Sequence, residues 1–211
     1  MPEREIVLYG NPDTASTIIH GVLEWASAPH RLVIVGGQGP DAISLADYRE
    51  LNPLGRVPTI VDGELVLYET VAILEHLVET LPGLGPRAGE PGRPELHFWL
   101  AWLTNDLMST YYRWFKAKQM IAPDGIPALR AGAIAALEQH GEWLERRLTG
   151  RRWLVGDRPC VADLFLWGLV GWGVDIDGLT LGGEALAAHT ARTLELPGVG
   201  AALEQERQVA A

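Results

Sequence analysis

Hydrophobic and polar positions in the first 81 residues follow two different periods, and these periods predict the secondary structure. Short runs rich in β-branched and aromatic residues, bounded by Gly, Pro or Asp, are typical of strands. Between the runs, apolar residues recur three and four positions apart, as in Ile18, Ile19, Val22 and Leu23, which is typical of a helix. The predicted elements are a strand at 5–9, a helix at 17–26, a strand at 30–35 closed by a Gly-rich turn at 36–40, a short helix at 44–51, a hairpin at 57–68 and a helix at 69–81.

The pattern changes at residues 82–95, where four Pro and four Gly fall within one short segment. This composition is typical of a linker. After it only helical periodicity remains, at 95–118, 126–148, 161–171 and near the C-terminus. We therefore predict an α/β domain at 1–82, a linker at 83–94 and an all-α domain at 95–211. The element order of the first part predicts a mixed sheet with helices on both faces.

The hairpin contains two features that go beyond secondary structure. Asp62-Gly63 is a strong turn signal, because Gly accepts the positive φ that a tight hairpin turn requires. Pro58 opens the first hairpin strand although proline has no N–H for the ladder. Either the Val57–Pro58 bond is cis and leaves the backbone of Val57 free to bind an extended partner, or a trans proline opens an edge strand.

Glu69-Thr70 stands where the second hairpin strand ends and the next helix begins. A Thr at this position is expected to cap the helix. The free N–H groups and the dipole of the same helix N-terminus can also bind a carboxylate. Together with a free backbone at Val57, this start of a helix suits a short, acidic, extended peptide.

Composition and charge narrow the class of protein. The 211 residues are 47% hydrophobic and carry a formal net charge of -10, with no basic cluster longer than a pair, so we expect no nucleic-acid partner. A single cysteine, Cys160, excludes an intrachain disulfide and a multi-cysteine metal site, and we expect no metal. The first ten residues lack a signal-peptide pattern, and the apolar run 164–174 is too short to span a bilayer. We expect a cytoplasmic protein without a membrane partner.

Val57-Pro58 and Glu69-Thr70, with eleven positions from Pro58 to Glu69, resemble the glutathione transferase family. In that family a thioredoxin-like first domain carries a cis-proline after a valine and an acidic-Ser/Thr pair that opens the third helix. The resemblance continues into the helical half. Residues 153–169 are similar to the family's G-x-x-Ser/Thr-x-x-Asp folding element, built here around Gly156 and Asp163, with Cys160 in place of the usual capping residue and Asp157 as an alternative cap.

The resemblance implies which residues bind glutathione. Val57, next to Pro58, would pair its backbone with the cysteinyl unit, and Glu69 and Thr70 would hold the γ-glutamyl end. Arg56 would reach the glycyl carboxylate or remain a solvated loop cation. Asp106 would help to bind the glutathione amino group across the interface of a homodimer.

The group that activates the thiol is left open by the sequence. Bacterial beta-class members place a cysteine and a histidine where this chain has Ala15 and Met108, so both are missing. The chain instead resembles serine-type, etherase-like members, which place their active residue at Ser16. We rank Ser16 first, followed by Thr14, Asn11 and last Tyr9, and each of these groups has a purely structural alternative as a helix cap or strand residue.

An aromatic stripe on the first helix after the linker is the candidate electrophile site. Met108, Tyr111, Tyr112 and Phe115 share one helical face, which by itself is typical of core packing. In the family this helix lines the pocket for an apolar electrophile, and Trp172 would close its far side. The resemblance therefore implies a detoxification-type glutathione transferase with glutathione as co-substrate. The alternatives are a glutathione-dependent lyase, etherase or isomerase, or a non-catalytic regulatory module that binds glutathione.

Overall fold

The structure is a computed structural model that describes residues 5–37 and 41–210, with side chains up to residue 208. The Gly-rich turn predicted at 36–40 lies partly outside the described residues. The chain forms two compact units, one made of 1–88 together with 194–211, the other of 89–193. The elements of each unit are described separately.

A five-stranded sheet in the order β3-β2-β1-β4-β5 organises the first unit. β1 is parallel to β2 and antiparallel to β4, which confirms the predicted mixed sheet. The hairpin β4–β5 turns at Gly63, whose φ is 63° as the turn signal required. Its strands are β1 (Ile6–Gly10), β2 (His30–Val35), β3 (Ala42–Ile43), β4 (Thr59–Asp62) and β5 (Leu65–Tyr68).

Helices α1 (Ala15–Trp25), α2 (Leu45–Leu51) and α3 (Thr70–Thr80) cover this sheet. Ile6 and Leu8 of β1 are buried in the core, where α1 packs on the strand and on α3. Tyr9, the next residue along β1, points to the other face, and its ring lies 5.9 Å from that of Tyr48 in α2. The alternation of side chains along β1 therefore assigns its two faces to different helices.

The last helix, α10 (Val199–Ala210), belongs to the first unit because it packs along α1. Val199 and Ala202 are fully buried there. This division differs from the domain boundaries predicted from composition, which assigned 95–211 as a whole to the helical part. Helical periodicity identifies α10 as a helix but contains no information on which helix receives its apolar face.

Every regular element among the described residues of the second unit is a helix, and loops at 149–160 and 173–183 separate the last three. The helix predicted at 126–148 is found with the same bounds, whereas the one predicted at 95–118 is interrupted by a π-helical segment, Leu103–Met108. The π segment shifts the face that the following residues present, and such segments recur at functional sites. The helices are α4 (Arg93–Trp102), α5 (Ser109–Phe115), α6 (Ala117–Met120), α7 (Ile126–Leu148), α8 (Val161–Trp172) and α9 (Glu184–Leu194).

Asp163 fixes the start of α8. Its carboxylate, fully buried, accepts hydrogen bonds from the backbone N–H groups of Cys160 at 2.8 Å and Leu154 at 2.9 Å, and from Nε2 of His189 at 2.7 Å.

Cys160 is the N-cap residue, so the exposed Asp157 does not replace it. Burial raises the pKa of the Cys160 thiol well above its usual range, which makes Cys160 a packing residue rather than a nucleophile.

The apolar run at 164–174 falls almost entirely within α8, whose side chains from Val161 to Trp167 are all buried. Among the described residues, no helix combines the length and the apolar character that crossing a bilayer requires.

Gly10 permits α1 to start directly against the end of β1. A Cβ added at this position would lie 2.5 Å from Cβ and 2.6 Å from Oγ of Ser16. In α7, by contrast, a Cβ added at Gly132 would have no neighbour within 4 Å.

We expect Gly10→Ala to lower the free energy of unfolding by about 1–3 kcal/mol, because the added methyl group overpacks the contact with Ser16. Urea denaturation measures this change. Gly132→Ala is the matched control and should leave stability unchanged or raise it by about 0.5–1 kcal/mol, as expected for Gly to Ala inside a helix. Equal effects of the two substitutions would contradict the assigned role of Gly10.

Candidate functional site

The register of the sheet brings three of the predicted binding segments to one end of it. Tyr9 pairs with Thr59, and Thr59 pairs with Tyr68 on its other side. The chain therefore leaves β1, enters β4 and leaves β5 at the same edge of the sheet. The segments at this edge are 10–14 before α1, 56–58 before β4 and 69–70 at the start of α3.

A compact hydrogen-bonded cluster forms the start of α1. Thr14 is the N-cap residue, and its Oγ1 accepts the N–H of Ser16 at 3.3 Å. Both hydroxyls reach the carbonyl oxygen of Asn11, Thr14 at 2.7 Å and Ser16 at 2.9 Å. The two hydroxyl oxygens are 2.6 Å apart, so that either one can donate to the other.

Burial distinguishes the two hydroxyls. Ser16 is only 1% exposed, and its Oγ also accepts the N–H of Asn11 at 2.8 Å. Thr14 is partly exposed. Ser16, the residue ranked first from the sequence, therefore has a buried hydroxyl that is hydrogen-bonded to both the N–H and the carbonyl oxygen of Asn11.

The side chain of Asn11 connects the cluster to the sheet. Its Oδ1 accepts the N–H of Val35 at 3.2 Å, beyond the last residue pair of β1 and β2. Asn11 is partly exposed, and its Nδ2 remains a donor for a ligand. Tyr9, by contrast, packs its ring against Tyr48 and belongs to the sheet face.

The Val57–Pro58 bond is cis, the first of the two alternatives that the sequence left open. The carbonyl oxygen of the preceding Arg56 accepts hydrogen bonds from the Tyr48 hydroxyl at 2.6 Å and from Nδ2 of Asn52 at 2.8 Å. The Arg56 side chain is exposed, Val57 is partly exposed and Pro58 is buried. The loop is therefore held by its backbone.

Tyr48 and Asn52 are functional supports that the sequence analysis missed. Both also reach Oγ1 of the buried Thr59, at 2.7 Å and 3.0 Å. Burial raises the pKa of Tyr48, and the hydrogen bonds with Thr59 and Asn52 partly offset this. The pair Tyr48 and Asn52 is spaced i, i+4 across the end of α2, but this spacing alone contains no information about the loop that it holds.

The backbone of Glu69 has an uncommon conformation. Glu69 is the N-cap residue of α3 with φ 76° and ψ 120°, and its side chain makes no capping hydrogen bond. The expectation that Thr70 caps the helix is therefore wrong: Thr70 is the first helical residue and is 5% exposed. A bulky residue with positive φ is a genuine outlier, and such residues cluster at ligand sites. The exposed Glu69 carboxylate and the uncapped N–H groups of α3 lie side by side.

In the second unit, four of the five predicted electrophile-binding residues form one aromatic cluster. The ring of Trp172 lies 6.0 Å from Tyr111, 6.0 Å from Tyr112 and 6.3 Å from Phe115. Phe115 is 39% exposed, so the cluster has an open side. Met108, one turn before Tyr111, is buried at the junction of the π segment with α5.

Tyr111 lies beneath the cluster. Its hydroxyl has no hydrogen-bond partner among the residues that the structure describes, and a Cβ added at Gly173 would come within 2.8 Å of it. Burial raises the pKa of Tyr111 far above its usual range. The hydroxyl is therefore a neutral donor at any physiological pH.

Asp106 is exposed on the π segment, one turn before Thr110. The nearby His140 of α7 has a lowered pKa because burial disfavours its charged form, while Asp106 raises this pKa and Arg113 lowers it. Its Nε2 lies 3.4 Å from Oγ1 of Thr110. The position of His140 next to Thr110 was not predicted from the sequence, because the packing of α5 on α7 is a tertiary contact.

Comparisons with known proteins identify the family. A family model described as the glutathione S-transferase N-terminal domain matches residues 15–80, and one for the glutathione S-transferase C-terminal domain matches 127–192. "Glutathione S-transferase GST-4.5" of Xanthomonas campestris pv. campestris is 33% identical over 208 residues, covering 94% of this chain and 98% of the relative.

Solved structures show the same fold. A glutathione S-transferase from Xylella fastidiosa has a TM-score of 0.81 at 26% identity, with 96% of this chain and 98% of that chain covered. A sphingomonad glutathione S-transferase complexed with glutathione has a TM-score of 0.82 at 28% identity, with coverages of 95% and 98%. On its sequence motifs, its sheet and helices, and its similarity to these relatives along nearly the whole chain, this protein belongs to the glutathione S-transferase family.

Proposed function

We propose that the chain binds glutathione along the end of its sheet and uses the bound thiolate to attack a hydrophobic electrophile. The observation that carries this proposal is the common edge shared by the start of α1, the Val57–Pro58 loop and the start of α3. Three chemically different groups follow one another there: the partly exposed hydroxyl of Thr14, the partly exposed Val57 with its backbone, and the start of α3 with the exposed Glu69 carboxylate.

The dimensions of this edge suit a tripeptide. From β1 through β4 to β5 is two strand spacings, or about 10 Å at roughly 4.8 Å each. An extended tripeptide spans a similar length, at about 3.3–3.6 Å per residue. The Glu69 carboxylate would bind the ammonium of the γ-glutamyl end, and the free N–H groups at Thr70 would bind its carboxylate. Val57 would pair with the cysteinyl backbone, and Arg56 with the glycyl carboxylate.

Thr14 is our first candidate for activating the thiol, with Ser16 as the positioning residue behind it. When Ser16 donates to the Asn11 carbonyl, Thr14 can exchange its own 2.7 Å hydrogen bond to that carbonyl for one to a bound sulfur. Nδ2 of Asn11 is the third donor within this segment.

The energies required are within reach of one hydroxyl. A thiol that titrates near 8.5 must be lowered by about 2 pKa units, or roughly 2.7 kcal/mol, to be mostly ionised at neutral pH. One hydrogen bond to a charged acceptor contributes about 1.5–3 kcal/mol, and the helix N-terminus adds about 0.3–1 kcal/mol. The hydroxyl and the dipole together reach this target, whereas the dipole alone does not.

The open aromatic cluster of Tyr111, Tyr112, Phe115 and Trp172, with Met108, would hold the apolar electrophile. Its rings offer stacking surfaces. Homodimer formation, with Asp106 reaching the glutathione amino group of the partner, belongs to the same proposal.

Replacement of Thr14 tests the thiol donor. We expect Thr14→Val to raise the pKa of enzyme-bound glutathione by about 2 units and to lower kcat/KM at neutral pH by about 10–100-fold, because the variant keeps the shape and loses the hydroxyl. Thr14→Ser should restore both values. The pH profile of conjugation to chlorodinitrobenzene measures this effect.

Ser16→Ala is the comparison variant, and we expect it to shift the pH profile less than Thr14→Val. A full shift in Ser16→Ala with a normal profile in Thr14→Val would return the role to Ser16. Retention of the native protein on immobilised glutathione, without turnover of any electrophile, would instead favour a non-catalytic binding module.

Replacement of Glu69 tests the γ-glutamyl site. Glu69→Gln should raise KM for glutathione by about 10-fold or more and leave kcat nearly unchanged, because a charged hydrogen bond worth about 1.5–3 kcal/mol is lost in ground state and transition state alike. Steady-state kinetics with varied glutathione measures this. Glu64→Gln, at an exposed position of the hairpin turn, is the matched control. A similar KM in both variants would remove Glu69 from the site.

Replacement of Trp172 tests the aromatic cluster. Trp172→Ala should raise KM for a hydrophobic electrophile and leave KM for glutathione unchanged, because only the stacking surface is lost. Phe98→Ala is the control, since Phe98 is 43% exposed and packs on Trp99 and Trp143 outside the cluster. If the control changed electrophile KM as much as Trp172→Ala does, the cluster would not be the electrophile site.

A further inference from the structure

Three possible metal ligands lie close together where α1 and the start of β2 meet, and none of them is assigned to glutathione. His20 and Glu24 lie one helical turn apart on α1, and His30 begins β2. One ligand atom from each of the three side chains lies within 4.8 Å of the other two. The imidazole rings of His20 and His30 meet edge to face, with centroids 5.3 Å apart.

A buried carboxylate holds one ring nitrogen of His20, Nδ1. Nδ1 lies 3.0 Å from Oε1 of Glu206 in α10, and Thr17 donates to the other carboxylate oxygen at 2.7 Å. His20 is fully buried and Glu206 is 3% exposed. A carboxylate that fixes one nitrogen of a histidine, and so directs the other outward, is the usual surrounding of a metal-binding histidine.

His30 has the equivalent arrangement with a backbone carbonyl. Its Nδ1 lies 2.8 Å from the carbonyl oxygen of Ala28, so this nitrogen carries the hydrogen. Nε2 is then a lone-pair donor, and it lies 3.6 Å from Oε1 of Glu24. Both histidines are thus held through Nδ1 and present Nε2 to the same space.

The side chain of Gln205 occupies that space. Its Oε1 accepts a hydrogen bond from Nε2 of His20 at 3.1 Å, so that Nε2 must release this proton when it binds a metal ion, and its Nε2 donates to Oε1 of Glu24 at 2.9 Å. Gln205 is exposed, so its amide can turn into solvent and open a path to the three ligands, or remain and offer Oε1 as a fourth.

The negative charge of two carboxylates also favours a cation at this cluster. Glu24 and Glu206 bring two carboxylates to the cluster, and the ion-pair partners recorded for them are His30 and His20. A buried carboxylate is costly unless a positive charge compensates it.

We propose that His20, Glu24 and His30 form a binding site for a divalent transition-metal ion of the zinc type. Two imidazoles, one carboxylate and a fourth position open to Gln205 or water are a ligand set that Zn²⁺ accepts. Bonds of about 2.0–2.1 Å to the ion place neighbouring ligand atoms roughly 3.3 Å apart. Since these atoms now lie within 4.8 Å of one another, side-chain rotations that shorten each distance by about 1.5 Å or less close the site. The ion ties α1 to β2 and, through Glu206, to α10.

Metal titration of the full chain tests this proposal. The protein is stripped with a chelator, desalted and titrated without glutathione, with Zn²⁺ by calorimetry and with Co²⁺ by visible absorption. We expect one equivalent per chain and the intense visible bands of tetrahedral Co²⁺. Glu24→Gln and His30→Gln should each weaken binding by at least about 10-fold, because each removes one ligand. His97→Gln, a histidine outside the cluster, should bind as the native protein does.

Thermal unfolding provides the second readout. At one Zn²⁺ concentration the rise in Tm should be equal for the native protein and His97→Gln and smaller for Glu24→Gln, which removes a partly exposed ligand and leaves the buried His20–Glu206 pair intact. The absence of stoichiometric binding, or native binding in both ligand variants, would overturn the site. Because glutathione is absent from these titrations, either result is independent of the proposed transferase activity.

Discussion

The pairing of β1, β4 and β5 in one register is the constraint on which the candidate glutathione site depends. Tyr9, Thr59 and Tyr68 stand side by side across three strands. A shift of one residue in either pairing would reverse the faces of a whole strand and move its core residues into water. The buried positions of β1 and β4 therefore fix, at the same time, where the three loops of the candidate site meet.

The loops at that edge satisfy their backbone groups in different ways. At α1 the polar side chains of Thr14 and Ser16 satisfy some of them, and the same hydroxyl oxygens are the candidate thiol donors. At α3 no side chain of the N-cap residue does so. A helix start without a side-chain cap leaves its first N–H groups for another partner, and under the proposed function that partner is glutathione.

Most elements follow from local pattern, and the family follows from two short motifs. The strands β1, β2, β4 and β5 and the helices α1, α7 and α8 were predicted from the type and spacing of their apolar residues, whereas the two-residue strand β3 was not. The interruption of the helix at 103–108, the conformation of Glu69 and the order of burial at Thr14 and Ser16 were not predictable in this way. Each depends on neighbours that are distant in sequence or on backbone angles that no residue type dictates.

The sequence by itself determined the α/β and all-α halves, the binding segments around Val57-Pro58 and Glu69-Thr70, and the aromatic stripe on α5, because periodicity and short motifs are local. Only the tertiary structure decided that α10 returns to α1, which joins His20 to Glu206 across 186 positions and brings Gln205 over Glu24. Only the tertiary structure decided that the Ser16 hydroxyl is buried and that Thr14 is partly exposed. The physical reason is the same in each case: burial and long-range hydrogen bonds are properties of neighbours in space, and a pattern along the chain records only one side of each contact.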